Sequence, residues 1–123
     1  MSIGSNIELK VAVPSFLFNS IADNPNVLID LLGEQQIGIL KARIVELLVD
    51  LDGAPEVVDL KILEFKYDEI QSKGSFRLTF RISRTFCCSD ISAANDDYVD
   101  FKFEFENELL RAYGNFFQWT LDN

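Results

Sequence analysis

Residues Ser75 to Asn107 read SFRLTFRISRTFCCSDISAANDDYVDFKFEFEN, and this stretch decides the fold. Phe76, Leu78, Phe80 and Ile82 alternate with Arg77, Thr79, Arg81 and Ser83. Further on, Val99, Phe101, Phe103 and Phe105 alternate with Asp100, Lys102, Glu104 and Glu106. Successive side chains of a strand point to opposite faces, so each run has one apolar face and one charged face. One-sided burial marks an antiparallel sheet, because a parallel strand is covered on both faces. The linker from Cys88 to Asp97 is long for a hairpin and holds the turn formers Ser89, Asp90, Asn95 and Asp96. On the polar face, Arg77 and Arg81 are placed to meet Asp100, Glu104 and Glu106. Such pairs contribute about 0.2–1 kcal/mol each where the register brings them opposite.

Working outward, Lys73-Gly74 turns the chain back to a strand over Val57 to Ile70. There Leu60 and Ile62 share one parity, and Leu63, Phe65 and Tyr67 the other. A one-residue bulge near Ile62 would put all five on one face. Upstream, Ile7, Leu9, Val11 and Val13 alternate with Glu8, Lys10 and Ala12 in a first strand closed by Pro14. Ser15 to Ala22 is apolar and has no clear period. Asp23-Asn24-Pro25 reads as a helix start, with Val27, Leu28, Leu31 and Leu32 at helical spacing and Gly33 as a stop. A second helix is expected from about Glu34 to Asp50, with Ile37, Leu40, Ile44, Leu47, Leu48 and Leu51 near one face. Asp52-Gly53-Ala54-Pro55 breaks it. After an Asn107-Glu108 turn, a short strand to Gly114 is favoured over a helix, because Gly114 sits badly inside a helix.

Strand, helices, then a run of strands is an α+β order. The expected fold is a single domain: a mainly antiparallel twisted sheet of about four to five strands with one or two helices packed on one face. The 123 residues are 48% hydrophobic and include eleven Phe, ample for one core. The net charge of −9 opposes nucleic-acid phosphates and anionic membranes, so neither is expected as a partner. A basic protein is the charge-matched partner. Glu8 and Lys10 interrupt the N-terminal region before any sustained apolar run. Cys87 and Cys88 are adjacent and ill placed for a mutual disulfide, so a reducing, cytoplasmic setting is expected.

The chain contains no His, which removes Ser-His and Cys-His catalysis and imidazole metal sites. No glycine-rich phosphate loop is present. No catalytic residue, cofactor or metal is therefore assigned. Asp90, Asp96, Asp97 and Asp100 crowd one segment, which reads as a solvated turn rather than a Ca²⁺ loop. Arg84 is irregular: strict alternation from Phe76 to Phe86 places it on the oily face. Either a bulge near Ser83 turns it outward, or it reaches an acid lining a cavity.

Two functional readings stand side by side. The first is an interaction module without catalytic activity, binding a basic partner through Asp100, Glu104, Glu106, Arg77, Arg81 and an aromatic anchor at Trp119. Arg77 and Arg81 neutralise two carboxylates at most, so an acidic strip including Asp96 and Asp97 is expected to survive there. The second is a small-ligand protein or His-free enzyme with a pocket between sheet and helices, containing Arg84 and Tyr67 or Tyr98. A homodimer joined through sheet edges is a third, structural reading.

Overall fold

The structure is a computed structural model and describes residues 6–86 and 91–116. Its order is β1 (Ile7–Ala12), α1 (Ser15–Ile21), α2 (Val27–Glu46), β2 (Glu56–Asp68), β3 (Lys73–Phe86), β4 (Ile91–Glu106) and β5 (Leu109–Asn115). The five strands form one antiparallel sheet in the order β1-β5-β4-β3-β2. Both helices lie on one face, so the α+β architecture expected from the strand alternation is the one observed. The chain leaves β1 at one edge, crosses the inner face as α1 and α2, and enters β2 at the other edge.

The central pair obeys its alternation throughout. β3 and β4 pair without a break from Lys73↔Glu104 to Phe86↔Ile91. Phe76, Leu78, Phe80 and Ile82 meet Val99, Phe101 and Phe103 on the inner face, all buried. The long linker anticipated from Cys88 to Asp97 is mostly strand, because β4 begins at Ile91. Polarity alone could not separate a turn from a strand whose outer residues are Ala94, Asp96 and Tyr98. Cys87, Cys88 and Asp90 lie outside the described residues.

Gly33 does end a helical segment. It adopts φ 78°, ψ 167° inside α2, a kink that no L side chain adopts cheaply. The segment beyond it buries Leu40 and Ile44, with Leu48 just past its end, while Leu51 lies outside the helix and is exposed. Asp23-Asn24-Pro25 falls short of the helix, which starts at Val27 and takes no side-chain cap. Asn26 is used differently: its Oδ1 accepts the backbone N–H of Ile62 at 2.8 Å, tying α2 to the outer edge of β2. The ambiguous Ser15–Ala22 stretch is α1, which buries Phe18 and Ile21. Phe18 stacks on Phe105 with centroids 3.9 Å apart and meets Tyr67 edge-on at 4.7 Å.

β2 departs most from expectation. It carries two register shifts, between Val58 and Lys61 and between Leu63 and Lys66, rather than one bulge near Ile62. Asp59 and Glu64 take the left-handed conformation at these points, φ 57° and 52°. The two bulges turn Ile62, Phe65 and Tyr67 inward together, but leave Leu63 on the outer face opposite Arg77. Asn107 and Glu108, both left-handed, make the two-residue hairpin turn into β5.

Candidate functional site

The outer face of the sheet carries no covering element among the described residues, and its chemistry follows from register. Arg77 lies opposite Asp100 and holds it with two bonds, Nε to Oδ1 at 2.7 Å and Nη2 to Oδ2 at 3.1 Å. The β2 bulge at Glu64 brings a second carboxylate to Arg77 at 3.5 Å. The same guanidinium sits 4.1 Å over the Tyr98 ring. Arg81 repeats the arrangement: its Nε donates to Asp96 Oδ1 at 3.0 Å, with Asp59 of the other bulge nearby. The hydrogen bonds to Asp100 and Asp96 raise the pKa values of Arg77 and Arg81 respectively, keeping both charged. Two arginines, each braced by two acids, thus flank Thr79, Tyr98 and Lys61 in an open concavity of about 410 Å³.

Glu104 stands between Arg111 of β5 and Lys73 of β3, and Glu106 stands opposite Leu109. Asp97 points to the inner face, opposite Phe80. The acidic strip anticipated on the outer face therefore does not form. Counted over the whole face, eight Lys and Arg stand against nine Asp and Glu, a balance of −1. Asp90 and Asp122 lie outside the described residues, which total −7, so −6 belongs to the rest of the described molecule. There Asp23, Asp30, Glu34, Asp50 and Asp52 are exposed along the helices and their connections. A strand read alone shows its own charges and not those its neighbours bring, which is why the balance was missed.

Comparison with known protein families, with curated proteins and with solved structures finds no match to this chain. The site is consequently read from its own residues.

The residues of the small-ligand reading are not brought together. Arg84 stays on the inner face at the end of β3, since the β3–β4 register has no bulge near Ser83. It is buried, and among the described residues its Nη1 donates to the carbonyl of Asp52 at 2.5 Å and to no acid. Gly53, at φ 77°, lets that turn approach: a Cβ there would come within 2.9 Å of the Arg84 Cβ. Tyr67 pairs with Gly74 at the opposite end of β3. Ten residues of strand separate Gly74 from Arg84, on the order of 33 Å. Tyr98 lies on the outer face. Between sheet and helices, Leu9, Leu28, Leu32, Ile62 and Phe76 surround a void of only about 10 Å³. Asp96 and Asp100 face outward while Asp97 faces inward, so these three acids do not converge. Trp119 lies outside the described residues.

Two features escaped sequence reading. One is a groove of about 630 Å³ between α1 and the β2–β3 hairpin, with Phe18, Phe65 and Tyr67 as its floor and Asp68 and Glu69 at its rim. Ile70 beside it is 95% exposed. Nothing local in the sequence joins residue 18 to residue 67. The other is Asp97, whose burial was legible: it shares the parity of Val99, Phe101 and Phe103. Among the described residues its Oδ2 has no hydrogen-bond partner, while Oδ1 accepts the Tyr98 N–H at 2.9 Å. Burial pushes its pKa above the usual carboxylate range, and the Tyr98 bond offsets part of that. A carboxyl raised in the folded state contributes stability that is complete below its unfolded pKa and is lost as pH climbs through the folded value. Asp97→Asn is therefore expected to raise the melting temperature at neutral pH, with the gain shrinking toward pH 4 and below. Parallel melts of both proteins across that range check it; a loss of stability at pH 7 would mean that the carboxylate is matched by a donor.

Proposed function

We propose that this chain is a non-catalytic interaction module for a basic protein partner, acting in the cytoplasm. The observation that carries the reading is the partition of charge: the outer sheet face is nearly balanced, and −6 of the −7 on the described residues lies elsewhere. A field of that sign steers cationic partners and raises association rates, most at low salt. The aromatic groove is the contact point that fits such a partner. Its floor accepts an apolar side chain and Glu69 at its rim accepts Lys or Arg. The small-ligand alternative draws less support, since its three residues stand apart.

The test uses a fluorescent peptide with one Phe or Leu flanked by Lys and Arg, beside its Asp/Glu counterpart. The basic peptide is expected to bind, more tightly at low salt. The variant E69K is expected to slow its association severalfold at low salt without changing the melting temperature. Equal binding of both peptides, or indifference to salt, would remove this reading.

A further inference from the structure

The two edges of the sheet are finished differently. β2 is interrupted by two bulges with left-handed residues, and Asn26 occupies the Ile62 N–H. These are devices that keep a strand edge from pairing further. Among the described residues β1 has none of them. Its register against β5 is unbroken from Ile7↔Gly114 to Ala12↔Leu109, and it holds no left-handed residue and no proline.

The direction of its free groups follows from one bond. Val13 N donates to Glu108 O at 2.9 Å, so the odd-numbered residues of β1 exchange bonds with β5. Glu8, Lys10 and Ala12 then turn their N–H and C=O groups outward. The carbonyl of Asn6 obeys the same alternation, accepting Arg43 Nε of α2 at 2.8 Å. Alongside runs a groove of about 270 Å³ walled by Leu9, Gln36, Ile39 and Leu40, with Ile39 63% exposed.

We propose that β1 pairs antiparallel with β1 of a second copy about a two-fold axis at Leu9, joining two sheets into one. Charge selects this centre. It sets Glu8 of each copy opposite Lys10 of the other, on the outer face. A centre at Glu8 or at Lys10 would place like charges together, and a shift by one residue would set inner side chains against outer ones. The Glu8–Lys10 pairs are the hydrogen-bonding ones, so they supply four main-chain bonds. On the inner face Leu9 meets Leu9 and Ile7 meets Val11. Leu9 of one copy, only partly buried in its own fold, lies against the groove beside Ile39 of the other. The interface is isologous, which closes the assembly at two. It goes beyond the proposed binding of a basic partner and leaves the opposite edge, with its aromatic groove, open.

The test is sedimentation velocity of the full chain from micromolar to submillimolar loading, with folding followed by circular dichroism. The wild type is expected to pass from monomer to dimer. E8K and K10E are each expected to weaken the dimer about tenfold or more, since each turns two attractive pairs into repulsive ones. An equimolar mixture of E8K and K10E restores opposite charges in both pairs, and its heterodimer is expected within about threefold of wild-type affinity. Lys10→Pro removes an outward N–H while leaving the bonds to β5, and is expected to be a folded monomer. A wild type that stays monomeric throughout overturns the proposal. So does a dimer indifferent to E8K and K10E, or one that survives Lys10→Pro.

Discussion

Replacing Phe103 by alanine is expected to lower the unfolding free energy by about 3–5 kcal/mol, the cost of a large cavity in a closed core. Phe103 is 2% exposed and touches a ring on every side. Its centroid lies 5.2 Å from Phe65, 5.9 Å from both Tyr67 and Phe76, and 6.4 Å from Phe18. These partners come from β2, β3 and α1, so one truncation loosens both the sheet and its helical cover. The melting temperature should fall by roughly 10–25 °C. Arg81→Ala provides the contrast. Its side chain is half exposed and its ion pair with Asp96 faces water, so the cost should stay under about 1 kcal/mol. Urea unfolding of the two variants measures both values, and equal losses would mean that the inner and outer faces are misassigned.

Gly74→Ala should be comparably damaging, by an opposite route. A Cβ at Gly74 would drive into the carbonyl oxygen of Lys66 and come within 2.5 Å of the Phe103 ring. The first neighbour is main chain and cannot rotate away, so the β2 bulge itself must shift. A loss of about 3 kcal/mol or more is expected, at the upper end for overpacking. Gly114 is the control. A Cβ there meets only side chains, Val99 Cγ1 at 2.8 Å and the Phe101 ring at 2.9 Å. Gly114→Ala is therefore expected to be partly rescued by Val99→Ala, whereas Gly74→Ala is not rescued by Phe103→Leu. Double-mutant cycles from chemical denaturation decide this, and rescue of Gly74→Ala would place the conflict in the ring rather than the backbone.

The contrast between these glycines marks where sequence reading stops. Alternation over Phe76–Ile82 and Val99–Phe105 told inside from outside because the period of a strand is a local property. Gly33 and Asn107-Glu108 were legible for the same reason, since a break or a turn is written in a few adjacent residues. Gly74 read as a turn residue because its need for space comes from Lys66 and Phe103, far along the chain. The acidic strip failed likewise: Glu104 is flanked by Lys73 and Arg111 only once three strands are in register. Arg84 shows the reverse case. Parity placed it inside, and the structure keeps it there with a carbonyl as partner.

The pairing of β1 with β5 has a kinetic meaning. Ile7 finds Gly114 across nearly the whole chain, while β2 through β5 pair with sequence neighbours. On a ribosome adding roughly 5–20 residues per second, β1 waits about 5–20 s before its partner strand is made. The hairpins of β2, β3 and β4 are available earlier, yet their inner faces stay open until α1 and α2 are anchored at both ends. Closing so long a loop favours slow, late docking of the N-terminal strand, in milliseconds to seconds once synthesis ends. Through that interval both faces of β1's backbone are unpaired, and the nascent chain is at its most vulnerable to capture by other chains or by chaperones.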